Sequence, residues 1–217
     1  MTNPLLQLLV LGAIAVFLIL RLRGVLGTRD GFETRPPEES APRKRFDVID
    51  GTAEAVDHDI TDHAEPGSAN AKALAEMKSI EPQFAVGPFL AGAKSAYEMI
   101  LMAFERGDLS EVRAFLAPPV AEAFESVIAD RKARDLTTTA EFLGTRETSL
   151  AEAEFNRMTG MAELSVRFVG EMIVATRDAA GNVVEGDPKA ARKQRDVWTF
   201  ARNMGAADPN WQLVATA

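Results

Sequence analysis

The feature that most constrains this chain is an uncharged apolar run, Leu5 to Leu20, in which the only strongly polar side chain is Gln7. A helix from Pro4 to Leu22 would be about 28 Å long, close to the roughly 30 Å of a bilayer's hydrocarbon core. Arg21 and Arg23 follow at once and form a membrane flank that can snorkel to headgroups. Pro4 suits a first helical turn, where its missing N–H costs nothing. A cleavable export signal carries positive charge before its apolar run and small residues after it. The order here is reversed: Arg29, Arg35 and the cluster Arg43-Lys44-Arg45 all lie downstream. The expectation is therefore a transmembrane helix over residues 4–22. Its partner is the lipid bilayer, the N-terminus lies outside, and the rest of the chain is held on the cytoplasmic side.

Residues 23–80 read as a disordered acidic linker. "RPPEESAPRKRF" is Pro-rich and charged, and "DVIDGTAEAVDHDITDHAEPGS" carries acids with no Lys or Arg among them. Val48, Ile49, Val56 and Ile60 are too few to build a core. His58 and His63, the only histidines, fall in this stretch and read as solvated residues, so no metal site is expected. Near its end, "SANAKALAEMKSIEP" has helical features: Ser68 or Asn70 as N-cap, and Ala71, Leu74, Ala75 and Met77 as a modest apolar side.

Charge and composition remove several function classes. A net charge of −8 argues against a nucleic-acid binder, which needs a basic footprint. The absence of cysteine excludes disulfides, thiolate nucleophiles and Cys-based metal or iron–sulfur sites. No phosphate-cradling glycine loop or nucleophile-elbow pattern is present, so neither a cofactor nor a catalytic set is expected.

Residues 81–217 carry the pattern of a folded domain. In "FLAGAKSAYEMILMAFERGD", Phe89, Ala93, Tyr97, Ile100, Leu101 and Phe104 form one helical stripe, closed by Gly107. Asp108 and Glu111 make a capping-box pattern for a second helix presenting Leu109, Val112, Phe115 and Leu116. Pro118 and Pro119 end it, and a third helix runs to about Arg134. Beyond Leu136 the period changes to two. Ala162, Leu164, Val166, Phe168, Met172 and Val174 alternate with polar residues, and Trp198, Phe200 and Arg202 alternate with Val197, Thr199 and Ala201. "NWQLVATA" reads as a last strand. Another lies around Thr138–Phe155, where the alternation is blurred. Helices followed by an antiparallel meander predict an α+β domain, its helical layer on one sheet face. If the sheet bends around a pocket, Phe89, Tyr97, Phe104, Phe168, Trp198 and Phe200 are the candidates to line it. The alternative is that they simply fill the core.

The stretch "PQFAVGPFLAGAKSAYEMILMAFERGDLSEVRAFLAPPVAEAFE" resembles the C-terminal domain of the mitochondrial import-motor tether, the forty-four-kilodalton Tim subunit. The likeness is carried by Phe84, Phe89, Leu90, Gly92, Ala93, Lys94, Tyr97, Ile100, Phe104, Gly107, Asp108, Leu109, Phe115, Leu116, Val120 and Phe124. "GDPKAARKQRDVWTFARN" and "NWQLVATA" extend it, so that it spans about Ile80 to Ala217. The anchor joined directly to "RLRGVLGTRDGFE" is similar to bacterial membrane-bound relatives. The resemblance implies helices on a curved, cone-shaped antiparallel sheet, similar to nuclear transport factor two, with an apolar pocket. It also implies a non-catalytic adaptor at the bacterial inner membrane, acting in protein translocation or envelope assembly. Its partner would be an unidentified membrane protein complex or a chaperone of the DnaK type. No mitochondrial targeting sequence and no counterpart of the family's N-terminal chaperone-binding segment are expected. The alternative is a lipid or small-molecule binding module that uses the pocket.

Overall fold

In the computed structural model of the protein, residues 57–217 are described. Among the described residues, four helices come first. They are α1 (His58–Thr61), α2 (Ala69–Ile80), α3 (Val86–Arg106) and α4 (Pro118–Ala133), with a single 3-10 turn at Arg113–Phe115. Five strands follow: β1 (Thr137–Asn156), β2 (Met161–Arg177), β3 (Val183–Gly186), β4 (Arg192–Asn203) and β5 (Gln212–Thr216).

Local chemistry sets the boundaries. Ser68 Oγ accepts the Ala71 amide at 3.1 Å and starts α2. Gly107, at φ 73°, ends α3 in the left-handed conformation, and its amide bonds back to the last turn. Prolines occupy the first positions of α4, where their missing N–H is harmless. The β1–β2 hairpin turns at Asn156, whose Oδ1 accepts the Met158 and Thr159 amides.

The sheet is antiparallel throughout, in the order β1-β2-β4-β5, with short β3 paired to β2. Alternation along β2 separates its faces. Ala162, Leu164, Val166, Phe168, Met172 and Val174 are buried, while Glu163 and Arg167 are exposed. Helices α2 and α3 lie against β1 and bring Leu74, Met77, Val86, Tyr97 and Ile100, all fully buried, into one core with the inner sheet face. Full burial of each such side chain stabilises by roughly 1.5–3 kcal/mol.

Four expectations are corrected. Of the acidic linker expected over residues 23–80, residues 23–56 lie outside the described residues, and from Asp57 onward the chain is structured, because Ile60, Leu74 and Met77 find a core to join. The capping-box helix after Asp108 does not form. Asp108 accepts the Ser110 amide in a tight turn, and only the 3-10 turn at Arg113–Phe115 fits before the prolines. The sheet is not closed or curled into a cone. Its path ends at β1 on one side and five-residue β5 on the other, and bulges near Phe142, Thr145 and Leu150 bend β1 only locally.

The fourth correction concerns the membrane. Among the described residues, no helix is long and apolar enough to cross one. Residues 4–22, with Arg21 and Arg23, lie outside the described residues. No described element supports a membrane anchor, the lipid bilayer or a membrane complex as partner, or the inner-membrane location, and none of these is carried further.

Candidate functional site

Tyr97 stands at the centre of the inner face because α3 crosses the sheet where β2 and β4 present aromatics. Its ring stacks on Phe168, with centroids 4.4 Å apart and planes 10° from parallel. Trp198 meets it edge-on at 4.8 Å, and Phe142 does so at 6.1 Å. The phenol donates to Asp196 Oδ2 at 2.6 Å, and Gln194 Nε2 donates to the other carboxylate oxygen at 3.3 Å. Burial, reinforced by the carboxylate, pushes the phenol's pKa well above its ordinary value. Tyr97 is therefore held as a neutral donor and is no proton shuttle near neutral pH.

Phe89, Phe200 and Trp211 form a second aromatic group. Phe89 meets Phe200 edge-on at 6.1 Å and lies 4.8 Å from Trp211. With Pro88, Gly92, Ala96 and Met99 they border an open groove of about 320 Å³ between α3 and the loop entering β5. It is a surface depression and not an enclosed cavity. Phe104 lies elsewhere, against Phe124 at 4.8 Å and beneath the Arg131 guanidinium at 4.6 Å. The six pocket candidates thus divide three ways. Tyr97, Phe168 and Trp198 stack together, Phe89 and Phe200 back the open groove, and Phe104 belongs to the α3–α4 contact. No closed apolar pocket unites them, which removes the lipid or small-molecule binding module as a reading of this domain.

Charged side chains near the core are paired. Arg202, on the inner face of β4, donates to Glu81 Oε2 at 2.7 Å and lies over Trp211 at 5.2 Å. That hydrogen bond, against partial burial, holds the Glu81 carboxyl below its usual range. Asp59 accepts the Val86 and Gly87 amides at 2.9 and 3.1 Å and pairs with Lys78 at 2.8 Å. A carboxylate from α1 therefore caps α3. Glu105, buried at the far end of α3, meets Arg131 at 3.2 Å. Among the described residues no cluster of His, Asp and Glu is arranged to hold a metal ion.

From the sequence, no site role falls to Asp59, Asp196 or Trp211, and Arg202 is placed only in the strand alternation with Trp198 and Phe200. Asp196 carried a signal: it is the lone acid in "RKQRD". For Arg202 the parity shared with Trp198 and Phe200 already implies an inward-facing charge that needs a partner. Nothing local marks Asp59, whose partners lie 27 and 28 residues away.

Residues 70–217 match the family model described as a Tim44-like domain. No curated protein matches the chain. Among solved structures, the intermembrane space region of the chloroplast protein ARC6 aligns at a TM-score of 0.39 and 11% identity, covering 58% of this chain and 93% of that one. A likeness that loose decides nothing about this chain.

Proposed function

The chain belongs to the Tim44-like domain family, and from that premise we propose that it is an adaptor that binds another protein in a protein-transport process. Domains of this family are non-catalytic, and this chain is not an enzyme. The observation that carries the proposal is the family match over residues 70–217. The site geometry agrees with it. The one buried phenol is locked in hydrogen bonding with Asp196, and the buried charges are spent on pairs that tie elements together. The folded adaptor unit begins ahead of residue 81, since α1 and α2 contribute Ile60, Leu74 and Met77 to the core.

Co-purification after brief crosslinking tests this reading. The full chain is compared with its Leu74→Asp variant, which puts a charge at a fully buried core position. The expected result is a protein set captured by the folded chain and lost with the variant. Equal capture by both, or none by either, would overturn the adaptor reading.

A further inference from the structure

The sheet face turned away from the helices has charges sorted by strand. Register places Glu147 of β1, Val169 of β2 and Arg195 of β4 in one row. The adjoining rows are Ser149, Arg167 and Val197 on one side, and Gly144, Glu171 and Lys193 on the other. These positions alternate with Phe168 and Trp198, which point into the core. On this outer face β1 contributes the exposed acids Glu141, Glu147 and Glu152 together with Arg146, which is tied to Glu171 of β2, and β4 contributes the exposed bases Lys193 and Arg195. Between the two lines lie the half-buried side chains of Val169, Ile173 and Val197.

Adjacent strands are about 4.8 Å apart, so Glu147 and Arg195 stand roughly 10 Å from each other across Val169, too far to pair. Among the described residues, no ion pair involves Glu147, Arg167, Lys193 or Arg195. Glu171 is paired with Arg146 at the same end of the sheet.

We infer that this face is the contact surface between two copies of the chain, related by a two-fold axis that runs along β2 through Val169. Rotation about that axis carries β1 of one copy over β4 of the other and keeps each row at its own level. Glu147 then faces the second copy's Arg195, twice over, with Val169 against Val169 between them. Arg167 and Glu171 lie on the axis as well and meet their own copies; Glu171 is held by Arg146, and the flexible side chain of Arg167 has Glu147 and Glu152 on the neighbouring strand to turn to. The other face-to-face arrangement, with the axis across the strands, stacks β1 on β1 and β4 on β4 and sets Glu147 against Glu147 and Arg195 against Arg195, and the one attraction it offers in return, Arg167 over Glu171, is to a carboxylate already held by Arg146. Charge therefore selects between the two. Three strands over about ten residues give roughly 500 Å² per copy, or about 1,000 Å² in total, the lower limit for a specific interface.

The inference stands apart from the adaptor reading and is tested on the full chain by sedimentation equilibrium. The unmodified protein, Glu147→Arg, Arg195→Glu and the doubly exchanged protein are compared at low and high salt. Expected is a dimer at low salt that loosens as salt rises. Each single reversal should weaken association by about tenfold or more, and the double exchange should restore it to within about threefold. Because restoration requires a folded protein, it separates loss of the interface from loss of the fold. A chain that stays monomeric at low salt would overturn the inference. So would a dimer indifferent to the single reversals, or one that the double exchange fails to restore.

Discussion

Tyr97 Oη donates a 2.6 Å hydrogen bond to Asp196 Oδ2, joining the middle of α3 to β4 across 99 residues of chain. The phenol is fully buried and the carboxylate is half-buried, with Gln194 as a second donor. Replacing Tyr97 by Phe keeps the stacking on Phe168 and removes one donor from a charged acceptor. The expected loss is about 1–2 kcal/mol, at the low end for bonds to charged groups because Asp196 keeps Gln194 and some solvent. Tyr97→Ala also empties the aromatic centre and should cost about 3–5 kcal/mol. Urea unfolding of both variants checks the order.

Gly170 is fitted to that same phenol. A Cβ there would lie 2.9 Å from Tyr97 Oη and 3.2 Å from Cε1, and the ring has no room to retreat from Phe168. Gly170→Ala should therefore cost about 1–3 kcal/mol through overpacking. Combining it with Tyr97→Phe removes the nearest clashing atom, so the double variant should lose less than the sum of the two single losses. Strict additivity in a double-mutant cycle would show that the glycine is there for another reason.

The parts of the fold that could be read in advance are those whose determinants are local. Ser68 caps α2 through a residue three positions on, and Leu74 and Met77 lie one turn apart on a shared face. Along β2 every inward residue from Ala162 to Val174 alternates as its pattern predicts. Alternation in β1 is blurred for a physical reason: each register shift, near Phe142, Thr145 and Leu150, moves the following side chains to the opposite parity. What could not be read depends on distant partners. The acid-rich stretch around Asp59 looks like a solvated linker until Lys78 and the amides of Val86 and Gly87 are placed beside it. Likewise, the aromatics chosen for a pocket are apolar at helix and strand spacing, which describes core and pocket equally. Only the stacking of Tyr97 on Phe168 separates the two.

Asp59 should make the assembly of α1, α2 and α3 sensitive to acid. Burial raises its carboxyl, but Lys78 and the two backbone amides outweigh that, and its pKa lies below the ordinary value. A carboxylate depressed on folding stabilises fully above its unfolded pKa, near 4, and the benefit is lost as pH falls through the folded value. Asp59→Ala should therefore cost about 1–2 kcal/mol at neutral pH, with the gap to the unmodified protein closing in acid. Thermal unfolding of the pair between neutral and acidic pH checks this. A constant gap would mean that the carboxylate's charge is irrelevant to the cap.

Glu105 should do the opposite. Only 8% exposed, it is raised above the usual carboxylate range by burial, which Arg131 and Arg192 counter without cancelling and which Glu185 reinforces. A carboxyl raised on folding stabilises below its unfolded pKa, and that contribution is lost as pH rises through the folded value. Glu105→Gln cannot ionise. Its stability relative to the unmodified protein should therefore improve as pH climbs out of the acid range, and urea midpoints taken in steps of pH would show the crossing. Arg131→Met supplies the complementary test. It takes away the guanidinium that lies 3.2 Å from Glu105 and covers the Phe104 ring, so the carboxylate is left buried without its nearest cation. The penalty for that variant should grow with pH, because a protonated Glu105 does not need the arginine and an ionised one does. If instead the Glu105→Gln difference shrank as pH rose, attraction to Arg131 would have to exceed the cost of burial. The pair would then be a net stabiliser of the α3–α4 contact at neutral pH.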